Sequence, residues 1–130
     1  MLKGIDHRLN ADLLGTLRAM GHGDMLMLTD VNFPGASLAR HTVTGRVLTL
    51  ENLTAAEAAR AILSVLPLDT FVPDFAARME VVGDPTALPP VQAEVQAEID
   101  AAAVAASGSK RKDFCAPALS DGTRGVEEGD

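Results

Sequence analysis

The chain reads as an α/β protein, a layered mixed or parallel sheet flanked by helices, and three observations predict it. Stretches with helical spacing of apolar residues alternate with short continuous apolar runs. At 130 residues, with 47% apolar and 22% charged residues, the chain has the size and composition of one globular domain with a packed core. The alternation then stops at Val104, which bounds the patterned part of the sequence.

Each element follows in order. Asn10 can cap a first helix, because Leu13, Leu14, Leu17 and Met20 come at helical spacing and Gly21 supplies the stop. Residues 25–29 are an apolar run too short for a helix, which suits a buried strand with Asp30 at its carboxyl end. Ligands of open α/β sheets usually bind at that edge. Asn32-Phe33-Pro34-Gly35 reads as a loop, and residues 42–50 as a second strand with Gly45 at a bulge or turn. Thr54 and Glu57 have capping-box spacing and open a helix through Ala58, Ala61, Ile62 and Val65 that must stop near Pro67. Residues 78–82 form a third candidate strand, closed by Gly83-Asp84-Pro85. Pro90 suits a helix first turn, and Val91, Val95, Ile99 and Ala102 share a stripe opposite Gln92, Glu94, Gln96 and Glu98. No sustained period of either kind follows, so residues 1–106 are read as the folded domain and 107–130 as a mostly disordered tail.

Composition excludes several functions. Aromatic residues are 3%, with no Trp and no Tyr, which removes stacking platforms for single-stranded nucleic acid. A net charge of −7 repels a phosphate backbone, and Lys110-Arg111-Lys112 is too short a basic run to reverse that; it reads as a solvated cluster. Nucleic acid is therefore not an expected partner. Cys115 is the sole cysteine, so neither an internal disulfide nor a thiol-based zinc site is expected. The first residues lack the apolar stretch of a signal peptide, and no segment approaches the ~20 apolar residues that span a bilayer. The expectation is a cytoplasmic protein without membrane association.

The richest stretch for chemistry is residues 20–34, Met-Gly-His-Gly-Asp-Met-Leu-Met-Leu-Thr-Asp-Val-Asn-Phe-Pro. It sets His22 in a glycine-flanked turn after a helix, then runs to Asp30. An imidazole gives or takes a proton near neutral pH, and a nearby carboxylate can orient it or hold a hydroxyl of a substrate. The same residues also fit a plain structural reading, with Gly21 a helix C-cap, His22 a surface turn residue and Asp30 a polar strand end.

Several segments carry a resemblance: the opening Met-Leu-Lys-Gly-Ile, the Leu-Leu-Gly-Thr-Leu-Arg-Ala-Met-Gly-His-Gly-Asp stretch and the Thr-Asp-Val-Asn-Phe-Pro-Gly-Ala-Ser loop. Leu66-Pro67-Leu68-Asp69-Thr70-Phe71 and Met79-Glu80-Val81-Val82-Gly83-Asp84 extend it. Together they resemble the D-ribose pyranase and L-fucose mutarotase family, on the fucose side, over residues 1 to about 103. The resemblance implies an isomerase that equilibrates anomers or ring forms of a free monosaccharide, fucose before ribose, without metal or other cofactor, in a homo-oligomer. His22 would be the proton donor and acceptor, and Asp30 would bind a sugar hydroxyl or fix the imidazole. His7 and His41 match no catalytic position and are expected to be surface or structural.

The chain also departs from the family. Members continue after the long helix with an arginine-bearing aromatic segment, a further strand and a Tyr-Gly-Asn element that complete the sugar pocket, and this chain has no Tyr at all. The C-terminal strand region is thus expected to be missing, leaving a bare sheet edge, as a shifted or truncated reading frame would. The alternative function is a catalytically impaired sugar-binding or oligomerisation module.

Overall fold

The computed structural model describes residues 1–69, 72–107 and 115–118. Its elements are α1 (Ala11–Ala19), α2 (Gly35–Ala39), α3 (Ala55–Leu63), β1 (Ala76–Met79), α4 (Pro90–Ser107) and β2 (Cys115–Ala118). The helices begin where their caps demand. Asn10 accepts the Leu13 N–H at 2.9 Å, and Thr54 and Glu57 close a reciprocal capping box at 3.2 and 2.9 Å. α1 ends at Ala19, and the stop is the extended backbone of its C-cap Met20; Gly21, expected to supply it, does not take the left-handed conformation.

The core is made of small and aliphatic side chains. Leu13 and Leu17 of α1 pack with Leu9 and with Ala61 and Ile62 of α3, and Leu14, Met20, Val65 and Leu66 close over them. α3 also lies against α4; Ala58 and Ala59 of α3, besides Ala61, and Ala103 of α4 are buried. Side chains this short let two helix backbones come close. Arg60 clamps the same pair, its Nη2 and Nε meeting the Glu98 carboxylate at 2.6 and 3.1 Å. Ala103 lies just past the stripe expected for α4, whereas Val91 at the head of that stripe is 59% exposed. Gln92, expected on the outer face, turns inward: its Nε2 donates to the Met79 carbonyl and its Oε1 accepts from Arg78.

β1, α4 and β2 form a parallel strand–helix–strand unit, with Ala76 beside Cys115 and Met79 beside Ala118. A strand therefore does pair with β1 from beyond α4, where none was expected. Its sequence, Cys-Ala-Pro-Ala, lacks the β-branched and aromatic residues that announce a strand. Ser107, the first residue of the predicted disordered tail, ends α4, and residues 108–114 and 119–130 lie outside the described residues. β1 itself starts two residues earlier than residues 78–82 and ends at Met79, where a bridge between Val81 and Asp84 and the left-handed Gly83 turn the chain.

Residues 25–29 and 42–50 depart most from expectation, because neither forms a hydrogen-bonded ladder. Both are largely exposed: Leu26 packs on the core while Met25, Met27 and Leu28 are exposed, residues 42–46 turn, and only Leu48 and Leu50 pack inward around Thr49. Side chains fix them instead. Asn10 Nδ2 donates to the Thr49 carbonyl at 2.7 Å, Arg46 meets Asp12 at 3.1 Å, and Gly35 passes so close to Val47 that an added Cβ would stand 3.3 Å from its methyl group.

Candidate functional site

His22 sits second in a turn of four residues that follows α1. The Asp24 N–H donates to the Gly21 carbonyl at 3.2 Å, and Gly23 takes the left-handed conformation, φ +90°, that such a turn needs in its third position. The Asp24 carboxylate reaches back to accept the Gly21 N–H at 2.6 Å. At the tip, the His22 side chain is 70% exposed, and its Nδ1 lies 3.0 Å from Oδ2 of Asp69, a carboxylate that is itself mostly covered.

That contact sets the chemistry of the ring. An ionised carboxylate can only accept, so Nδ1 carries the proton and the neutral ring holds its lone pair on Nε2. A histidine oriented through one nitrogen by a carboxylate presents the other for acid–base work.

Asp30 occupies the next loop. Its Oδ1 accepts the N–H groups of Asn32 and Phe33 at 2.9 and 3.0 Å, which folds the chain into the start of α2. Its Oδ2 takes no hydrogen bond from the described residues and stands on an exposed side chain. The carboxylate on the imidazole is thus Asp69, and Asp30 shapes a loop. Asp69 belongs to the Leu66-Pro67-Leu68-Asp69 segment after α3, which sequence reading singled out only for its resemblance. No spacing rule links it to His22, since the two are brought together by the packing of α1 on α3. His7 and His41 are exposed. Among the described residues no group of three or more His, Cys, Asp or Glu side chains could hold a metal, and no helix is long and apolar enough to cross a membrane.

The structure thus brings His22 and Asp69 together, while the Asp30 carboxylate is bonded within its own loop. Residues 3–124 match the RbsD / FucU transport protein family, and the chain belongs to it. Curated relatives include the fucose mutarotases of Bos taurus, 40% identical over 82 residues, and of Mus musculus, 42% identical over 82 residues. Those matches take in 63% and 62% of this chain and 52% of each relative, so the chain spans about half the length of the curated relatives it matches. The crystal structure of protein Atu2016, provisionally described as a sugar binding protein, superposes with a TM-score of 0.82 at 50% identity, covering 99% of this chain and 80% of that one.

Proposed function

We propose that this chain is a monosaccharide mutarotase acting on the hemiacetal of a free sugar, with L-fucose preferred, in the cytoplasm. One observation carries the reading: the 3.0 Å contact of His22 Nδ1 with Asp69, on an exposed turn. The names of the curated relatives support the sugar.

The chemistry needs little more. Nε2 of His22 takes the proton from the anomeric hydroxyl as the bond from C1 to the ring oxygen breaks, and water supplies a proton to that oxygen. The open aldehyde rotates about its bond to C2. Closure on the opposite face returns the proton from Nε2 to the new anomeric oxygen while the attacking hydroxyl gives its own proton back to the hydroxide left by that water, so protons and electrons balance over the cycle. Asp69 steadies the imidazolium between the two transfers, and Asp30 accepts a sugar hydroxyl on Oδ2. Positioned proton transfer of this kind is worth roughly 10²–10⁴ in rate. Saturation-transfer NMR on L-fucose tests the proposal: the protein accelerates exchange between the anomers, and a rate equal to that in buffer overturns it.

The 70% exposure of His22 favours a second reading, in which the chain alone is a weakened, sugar-binding assembly module. Met25, Met27 and the 98% exposed Val31, close in sequence to His22, are uncovered apolar side chains, which suits burial against a second copy. Sedimentation separates the readings. A homo-oligomer that exchanges anomers supports the mutarotase, and an oligomer that binds fucose without exchange supports the module.

A further inference from the structure

We infer that Asp24 is a positioning residue for His22, an assignment that rests on the reading of His22 as the proton-transferring group. His22 lies inside a ring of contacts closed at both ends by the same two residues: Gly21 accepts the Asp24 N–H at 3.2 Å and donates its own N–H to the Asp24 carboxylate at 2.6 Å. The second bond is the shorter, and it is shorter than the backbone bonds received by Asp6, Asp30 and the Glu57 cap, at 2.9–3.0 Å. A carboxylate on a backbone N–H makes a charge-assisted bond.

The placement follows from local chemistry. Gly21 comes just after the α1 C-cap, so its N–H has no place in the helix and would otherwise face water. Gly23 at φ +90° doubles the chain back, and only then can a side chain at position 24 reach position 21. The Cα of His22 is held between those two anchors, while its ring meets Asp69, 47 positions further along the chain, at 3.0 Å. An exposed ring on an unclosed turn would sample many orientations, and the contact with Asp69 would be one among them. Asp69 sets the ring, and Asp24 sets the backbone from which the ring departs.

The test uses the full chain and two variants, Asp24→Ala and Asp24→Asn, the latter keeping an acceptor for the Gly21 N–H. The first readout is the ¹⁵N spectrum of the His22 imidazole, which reports the tautomer without any substrate. Wild type and Asp24→Asn are expected to show the proton on Nδ1, and Asp24→Ala a mixture of the two tautomers. The second readout is L-fucose anomer exchange: Asp24→Ala lowers kcat about 10-fold with KM within about twofold, the scale of a slightly misplaced reacting group, and Asp24→Asn restores it. A wild-type tautomer in Asp24→Ala overturns the inference, as does a mixed tautomer in Asp24→Asn. If wild type shows no exchange, the mutarotase reading fails while the tautomer spectra still decide the role of Asp24.

Discussion

The helical part of the molecule and the segment from residue 20 to residue 50 are held by different forces. α1, α3 and α4 interlock through buried Leu, Ile and Ala, so their positions depend on apolar burial and close packing. The intervening segment holds only the short α2, makes no ladder, touches the core through a few side chains such as Leu26, Leu48 and Leu50, and carries polar contacts: Asn10 to Thr49, Asp12 to Arg46, Asp24 to Gly21 and Asp30 to Asn32 and Phe33. His22 and Asp30 both lie on this second region, and the partner of His22 lies on the first, just after α3. The contrast separates the residues that hold the fold from those that present the His22 side chain. The core sets how firmly the chain folds and brings the loop of Asp69 to the turn of His22, and local hydrogen bonds shape that turn.

The largest effect should fall on the core. Leu13→Ala removes a nearly fully buried side chain from the centre of the cluster. It should cost roughly 2–5 kcal/mol, enough to lower Tm by about 10 °C or more in a chain of this size. Met27→Ala, on the exposed side of the second region, should stay within about 0.5 kcal/mol. Equal losses in thermal melts of the two variants would erase the distinction between the regions.

Asp69→Asn sharpens the comparison at its seam. It exchanges the charged partner of His22 for a neutral amide of the same shape and should lower kcat for anomer exchange by roughly 10-fold or more, while Tm moves little. A variant that loses stability and keeps activity would make Asp69 a core support instead. Thr54→Ala, which opens the capping box of α3, should cost about 1 kcal/mol and lower Tm by a few degrees with anomer exchange unchanged.

Acid titration gives the smallest effect. Arg60 beside Glu98, and Arg8 beside Asp6, hold both carboxyls below their ordinary range. A group depressed in the folded chain binds its proton later than in the unfolded one. Its contribution is therefore complete above the ordinary carboxylate value, and it is lost as pH falls through that value toward the folded one. Tm should decline slightly between about pH 6 and about pH 3, and less so in Glu98→Gln. Identical pH profiles would remove the Arg60 clamp from the account.

Legibility in the sequence follows the same division. Caps act within three or four residues, so Asn10 and the Thr54–Glu57 box were readable, as were Leu13, Leu17, Ala61 and Ile62 as core. The apolar run at residues 25–29 reads as a buried strand, yet Met25, Met27 and Leu28 are exposed and no ladder forms, because a ladder depends on a neighbour the local pattern does not specify. β2 escaped because Cys-Ala-Pro-Ala carries no strand signal, and its proline lacks a ladder donor. Ala103 and Gln92 show that a helix stripe read from sequence can be rotated by a residue when the neighbouring helix offers small side chains. Of the residues proposed for the site, His22 and Asp30 stand out in the sequence by type and by turn. Asp69 and Asp24 did not, the first because its partner lies 47 positions away, the second because its task is a bond to backbone.

The central claim is that the His22 imidazole carries protons to and from a sugar hemiacetal. Anomer exchange of L-fucose, followed by saturation-transfer NMR for wild type and His22→Ala at equal concentration, tests it most directly. The account predicts acceleration by wild type and the buffer rate for a variant with an unchanged circular dichroism spectrum. A folded His22→Ala chain that exchanges anomers as fast as wild type would contradict it.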